Sequence, residues 1–191
     1  MTEALSRVRT AQPSDAAALG RLHVRAWQAA YRGQLPNEFL DALDVAERGR
    51  MWAQALGTPR PGATRLVICP DVGDDPVGFA VVGPVRDDAG GGEGDVGGGG
   101  PGLGELYAIN LDPDSWGRGL GRELLAAATD ELSRLGFGDG VLWVVTGNAR
   151  ARRFYELAGW TADGAERVDE SHGPPIEEVR YRRPLTPPLQ G

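Results

Sequence analysis

Six residues from Gly117 to Arg122, reading Gly-Arg-Gly-Leu-Gly-Arg, have the makings of an anion cradle. Gly117, Gly119 and Gly121 leave the backbone bare. They open an apolar series, Leu120, Leu124, Leu125, Ala128, Leu132 and Leu135, that falls on one helical face. The first N–H groups of a helix lack intrahelical acceptors and carry the positive end of its dipole, so they suit a phosphate or pyrophosphate. Arg118 and Arg122 add charge beside them. No Lys-Ser/Thr pair follows, as a Walker loop requires, and the GxGxG spacing is not the GxGxxG of dinucleotide folds. In a chain with 29 glycines the same residues also read simply as a turn.

A second group lies downstream. Val141–Val145 reads as a buried strand, Thr146-Gly147-Asn148 as a turn, and Asn148 as the cap of a helix running from Ala149 to Ala158 until Gly159 stops it. That helix carries Arg150, Arg152, Arg153, Phe154 and Tyr155. Asn148 and Tyr155 are separated by about two helical turns, so an amide and a phenol can face one groove.

The elements that must hold these groups alternate as in a mixed α/β domain. Arg7–Ala11 reads as a strand, and Ser14-Asp15 starts a helix to Tyr31 with Leu19, Leu22, Ala26 and Ala30 on one face. Pro36–Leu43 and Ala46–Leu56 read as further helical pieces, followed by a Pro/Gly linker over Thr58–Gly62. Arg65–Cys69 and Pro76–Val85 read as antiparallel strands joined by the turn Asp71–Asp75. Asp87–Gly104 is low in complexity and cannot bury enough apolar surface to offset its ordering entropy. It reads as a flexible extension between strands, with a functional lid as the sharper alternative. In the strand opening at Glu105, Tyr107, Ile109 and Leu111 alternate with smaller or polar residues until Asp112-Pro113-Asp114 ends it. A strand from Trp160, a turn at Gly173-Pro174-Pro175 and a last strand over Glu177–Leu185 complete the domain, with Pro187 and Pro188 ending the fold.

Composition narrows the function. A chain of 191 residues suits one domain spanning 1–191, with a core stable without staples. Its formal charge of −7 argues against nucleic acid, whose binding needs clustered Lys and Arg, and could steer a cationic partner such as an amine. The N-terminal MTEALSRVRT has no apolar h-region, and no run approaches the ~20 apolar residues of a membrane span, so the expectation is a cytoplasmic protein. Cys69 is the only cysteine, which excludes an internal disulfide. His23 and His172 are the only histidines and lack HxxE or HxxxH spacing, so no metal is expected. Cys69 reads as a small buried residue at a strand end, and His23 as a packed or groove-side residue.

Together these segments resemble the GNAT superfamily of acyl-CoA-dependent N-acetyltransferases, and the likeness covers most of the chain. It implies a single GNAT-type domain, α/β, with a mixed, mostly antiparallel central sheet flanked by helices and splayed between the fourth and fifth strands to hold acetyl-CoA. Ile109-Asn110-Leu111 resembles the segment that pairs with the pantetheine arm, and Gly117, Arg118, Gly119, Leu120, Gly121 and Arg122 resemble the pyrophosphate loop. Asn148 matches the asparagine that contacts pantetheine, and Tyr155 the tyrosine beside the thioester sulfur, hence a general acid. Arg150, Arg152 and Arg153 could meet the adenosine phosphates. The backbone N–H near Leu111, at a bulge of the central strand, is the oxyanion donor the resemblance implies.

Two positions depart from the pattern. Trp116 stands where the loop usually begins with Gln or Arg, so a donor contact is missing or replaced by ring packing against the cofactor. Trp143 stands where some relatives carry a glutamate base. Glu105 is then the best base, since a two-residue period puts it on the face of Tyr107, Ile109 and Leu111. Glu38 and Asp41 are weaker rivals that could instead recognise a cationic substrate. Trp27, Tyr31 and Phe39 belong to the region that forms one wall of the acceptor groove in relatives. The resemblance therefore leads to acetyl transfer from acetyl-CoA, with no metal, to a primary amine of a small molecule. A protein N-terminal or lysine acetyltransferase acting on a peptide amine, and a non-catalytic acyl-CoA sensor, are the alternatives. Many relatives form homodimers, although no segment here specifies an interface.

Overall fold

A computed structural model describes residues 7–70, 75–86, 102–170 and 173–186. Most of the glycine-rich segment at 87–104, most of the turn at 71–75, and Pro187 and Pro188 lie outside the described residues; of the glycine-rich segment, Leu103 and Gly104 belong to a strand.

Alternating apolar residues build seven strands into one sheet. These are β1 (Val8–Thr10), β2 (Thr64–Ile68), β3 (Gly78–Pro84), β4 (Leu103–Leu111), β5 (Asp139–Val145), β6 (Thr161–Asp169) and β7 (Ile176–Pro184), in the order β1-β2-β3-β4-β5-β7-β6. Every neighbouring pair is antiparallel except β4 with β5. The helices are α1 (Ala16–Ala30), α2 (Asn37–Asp41), α3 (Val45–Gly57), α4 (Leu120–Arg134) and α5 (Ala149–Leu157).

Each face of the sheet has its own apolar layer. Leu66, Ile68, Ala80, Val82 and Leu142 pack with Leu120, Leu124 and Leu132 of α4, while Val67 and Phe79 pack with Leu19 and Leu22 of α1 and Trp52 of α3. Alternate residues of β2 and β3 thus feed opposite layers, as a strand's period requires. Helices α1 and α3 meet at two glycines: a Cβ on Gly20 would come 2.6 Å from the Gly49 backbone nitrogen, so the contact needs the bare backbone. The start of α1 is tied to β1, because Arg9 grips the buried Asp15 carboxylate through NH1 at 2.7 Å and NH2 at 2.9 Å.

Two irregularities in β4 shape the site. Strands β4 and β5 pair only from Leu103–Asp139 to Leu106–Leu142, after which β4 runs on to Leu111 and β5 to Val145 without pairing. The sheet is therefore forked between its fourth and fifth strands. The second irregularity is a bulge: Val82 pairs Leu106 and Val81 pairs Ala108, leaving Tyr107 as the extra residue.

The bulge corrects the strand's simple alternation. Leu106, Ile109 and Leu111 all pack in the α4 layer, and Ala108 in the α1/α3 layer. Glu105, next to Leu106, faces the α1/α3 side and does not share a face with Ile109 and Leu111. The bulge also sits four residues before Leu111, not at it. Beyond it, Asp112 N–H donates to Val77 O at 2.8 Å, so alternation turns the N–H and C=O of Leu111 and Ile109 to the opposite edge, toward the fork.

Candidate active site

Two cavities open on either side of the fork and meet there. The larger, about 710 Å³, lies between the tip of β4, the α4 loop, α5 and Ala26, Ala29 and Ala30 of α1. The smaller, about 280 Å³, lies toward α1, α3, β6 and β7. Ile109, Asn110 and Tyr155 line both. A molecule reaching in from each side would touch the other at Tyr155.

The loop opening the larger cleft is built as an anion cradle. Gly117 and Gly119 adopt φ of 76° and 82°, a left-handed geometry open to glycine at little cost. Arg122 N–H is the first in α4 to find a backbone carbonyl, that of Gly119 at 3.0 Å, and precedes Glu123 at 3.2 Å. The N–H groups of Leu120 and Gly121 thus stand at the helix mouth. The Leu120 side chain is turned into the core, so only its backbone can serve the cleft.

Trp116 does not lie open for ring packing against a ligand. Its Nε1 donates to Leu111 O at 3.2 Å, and the Arg150 guanidinium sits 3.7 Å from the ring centroid. The indole thereby becomes a shelf that holds a cation over the cleft. Arg122 and Arg150 line the cleft, whereas Arg118 is exposed outside it. Arg152 is turned away: Nε donates to Tyr181 Oη at 3.1 Å and NH1 to Thr146 O at 3.2 Å. Helical phase is the reason, since α5 aims Arg150, Ala151 and Phe154 at the cleft and Arg152 at β7. If Arg150 adds its charge to that of Arg122, Arg150→Ala should weaken coenzyme A binding about fivefold, roughly 1 kcal/mol, with little change in melting temperature. Calorimetric titration checks this, and unchanged affinity would make the stack merely structural.

Asn148 caps α5 by accepting Ala151 N–H on Oδ1 at 3.0 Å, which leaves Nδ2 free among the described residues to donate into the cleft. Gln34 complements it: Nε2 donates to Ala30 O at 2.9 Å, and Oε1 is a buried acceptor without a partner among the described residues. An extended chain carrying amide groups would satisfy both, with the fork-facing backbone of Ile109 and Leu111 beside it.

Tyr155 stands where the cavities meet. Its ring packs at 5.3 Å from Phe154 and 6.3 Å from Tyr181, yet its hydroxyl has no hydrogen-bond partner among the described residues. Burial, then the nearby Tyr31 and Glu178, pushes its phenol well above the ordinary value, so it keeps its proton at neutral pH. Burial likewise pushes Tyr31 up to about 12, reinforced by the negative charges of Glu178 and Asp169.

The smaller chamber is aromatic. Trp27, Tyr31, Trp52, Phe79 and Trp143 line it, with His23 5.5 Å from Trp27 and Phe79 between ring centroids. Phe39 does not line it. Its ring packs against Gly173, a residue that does line the chamber. Glu38 and Asp41 also lie outside the chamber, and Asp41 is paired with Arg32 at 2.8 Å.

Glu105 is not placed to act as a base. It is 1% exposed and accepts three bonds from Arg86: from the backbone N–H at 3.1 Å, Nε at 3.2 Å and NH2 at 2.6 Å. Arg86, held also 4.9 Å over the Tyr107 ring, lines the chamber while Glu105 stands behind it. The bulge at Tyr107 is the physical reason. Two carboxylates do line the chamber, Asp169 and Glu178, and the sequence reading missed both. The pairing of Glu178 opposite Val145 brings it to the open end of β5. The signal available was that Glu178 alternates with Val179 and Tyr181, both packed in the α4 layer, and so faces the other way.

Among the described residues no group of three His, Cys, Asp or Glu side chains could hold a metal ion, and no helix is long and apolar enough to cross a membrane.

Comparison with known proteins agrees with this geometry. Residues 23–160 match the family model described as the acetyltransferase (GNAT) family. The chain is 28% identical over 141 residues to the uncharacterised N-acetyltransferase YuaI of Bacillus subtilis strain 168, covering 74% of this chain and 72% of that protein. A shorter stretch of 60 residues is 42% identical to the mycothiol acetyltransferase of Kocuria rhizophila, covering 31% of this chain and only 20% of that protein. The fold is similar to that of the PaiA N-acetyltransferase from Thermoplasma acidophilum, solved in complex with coenzyme A, with a TM-score of 0.70, 16% identity and coverage of 93% and 98% of the two chains.

Proposed function

Because the chain belongs to the GNAT acetyltransferase family, we propose that it transfers an acetyl group from acetyl-CoA to the primary amine of a small molecule by direct attack. The observation that carries this reading is the meeting of two cavities at Tyr155, one suited to the donor and one to the acceptor. The donor cleft fits coenzyme A on its own chemistry. Leu120 and Gly121 N–H, with Arg122 and Arg150, answer a pyrophosphate, and Asn148 Nδ2 and Gln34 Oε1 answer the amides of pantetheine. A cytoplasmic enzyme would meet acetyl-CoA as a diffusing substrate.

Bringing amine and thioester into contact at the fork supplies much of the rate, since a well-aligned approach can contribute about 7–11 kcal/mol. The free amine attacks the acetyl carbon as the carbonyl gains negative charge. Leu111 N–H, turned toward the fork, is our oxyanion donor. Collapse breaks the carbon–sulfur bond and leaves the electron pair on sulfur, where the protonated Tyr155 donates.

The acceptor chamber favours a small molecule over a peptide. It measures about 280 Å³, whereas a peptide substrate needs an extended groove. The reading predicts amine-dependent thiol release from acetyl-CoA with compact primary amines and at least tenfold lower kcat/KM with alanyl or lysyl peptides. Faster turnover of the peptides would reverse the assignment. Coenzyme A binding with no release by any amine would favour a sensor.

A further inference from the structure

Resting on the acetyl-transfer reading above, we propose that Glu178 is the base that takes the proton from the incoming ammonium ion. We further propose that the chamber it lines selects a compact primary amine with an aromatic or apolar body. Glu178 lies on the chamber side of β7 because its neighbours in parity, Val179 and Tyr181, face the α4 layer. Arg167 engages only one of its oxygens: Nε and NH2 both approach Oε2 at 2.8 Å. Oε1 has no donor among the described residues. The carboxylate is thus anchored by one oxygen and available through the other, the reverse of Glu105, whose two oxygens are both engaged by Arg86.

The surroundings define the substrate's chemistry. Rings of Trp27, Tyr31, Trp52, Phe79 and Trp143 form apolar walls that suit an aromatic or apolar body, with Arg167 already lying 4.3 Å over the Trp143 ring and Arg48 5.8 Å over that of Trp27. Asp169 adds a second carboxylate to the lining, beside the guanidinium groups of Arg86 and Arg167. Trp143 contributes a buried Nε1 donor with no partner among the described residues, matched to an acceptor atom on the same ligand. The charged and titratable groups around Glu178 come from every wall. Among the described residues they are Arg167 and Asp169 of β6, Arg86 after β3, Tyr107 of β4, His23 and Tyr31 of α1, and Tyr155 of α5.

The proton's route balances. The ammonium gives one proton to Oε1, leaving a neutral amine and a neutral carboxylic acid. The amine's lone pair forms the new carbon–nitrogen bond, and the carbon–sulfur bond breaks onto sulfur. The nitrogen, made cationic by the new bond, gives up a second proton to solvent as the intermediate collapses. Sulfur takes one proton from solvent to leave as the thiol, and Glu178 returns its own to solvent, so one proton is released per turnover. Burial pushes the Glu178 carboxyl up, Asp169 adds to the rise and Arg167 opposes it, so the group is a better base than a solvated carboxylate. Burial of the ammonium in the same chamber lowers its own hold on the proton, which brings the two closer.

The test is kcat/KM for 2-phenylethylamine and benzylamine from about pH 6 to about pH 9.5. It compares wild type with Glu178→Gln and the charge-conserving Glu178→Asp, and includes coenzyme A affinity and melting temperature for each. Wild-type activity should fall as pH drops through the raised Glu178 pKa, where the base becomes protonated, and Glu178→Gln should lose that dependence. Near pH 7 Glu178→Gln should be slower by about 10²-fold or more. The deficit should narrow as pH approaches the amine's own pKa, because a free amine needs no base. Glu178→Asp should recover part of the rate, and coenzyme A should bind all three equally. A deficit that is the same at every pH, or a Glu178→Gln rate within about threefold of wild type, overturns the base assignment alone. If wild type binds coenzyme A but acetylates neither amine, the substrate class falls and the base assignment with it; if coenzyme A does not bind, the donor reading fails.

Discussion

Tyr155→Phe should lower kcat about a hundredfold, equivalent to roughly 2.7 kcal/mol of transition-state stabilisation, while coenzyme A binds as before. The argument is one of charge at the leaving sulfur. A thiolate leaves the tetrahedral intermediate more readily when a hydrogen-bond donor meets it, and the Tyr155 hydroxyl stands at the junction of the two cavities with no acceptor among the described residues. Its raised pKa keeps the proton in place through the neutral range. The same rise makes complete transfer to a thiolate of ordinary pKa near ~8.5 uphill, so the phenol acts chiefly by donating as charge develops, and solvent completes the protonation. The ring's contacts with Phe154 and Tyr181 survive in phenylalanine, so the melting temperature should hold. A mutant with unimpaired kcat, or one that loses its fold, would remove Tyr155 from the chemistry.

The parts of this site that were legible in the sequence are those built within one element and its flanking turn. The Gly117–Arg122 cradle needs only two positive-φ glycines and a helix start, and Asn148 with Tyr155 needs only the pitch of α5. The sheet's forked, mostly antiparallel form followed from the family resemblance and is what the pairing shows. What was not legible depended on distant partners. The bulge at Tyr107 arises from register with Val81 and Val82, more than twenty residues earlier, and it moved Glu105 to the other face. Glu178 reaches the chamber because β7 inserts between β5 and β6, an order that local patterning does not encode. Arg150 and Arg152 differ only in helical phase, which charge alone cannot rank. Phe39 had the right region but the wrong contact, since the β6–β7 turn it covers is far away in sequence.

Glu105→Ala should cost about 3 kcal/mol of stability and lower the melting temperature by roughly 6–12 °C, with the pH dependence of acetyl transfer unchanged. Removing one member of a buried ion pair leaves the other charge uncompensated, at a typical cost of about 3–5 kcal/mol. Here the survivor is Arg86, whose side chain is 25% exposed and can reach water, so the loss falls at the lower end of that range. The vacated space matters too, because Glu105 is among the largest fully buried side chains. Glu105→Gln should be milder, since its amide oxygen can still accept from Arg86. A base would behave otherwise: Glu105→Gln would flatten the pH profile of kcat/KM while leaving the fold as stable as before. Paired melting curves and pH profiles for the two substitutions separate these outcomes. A stability loss at unchanged pH dependence identifies Glu105 as the strut that fixes Arg86 at the chamber wall and leaves proton removal to the carboxylate of β7.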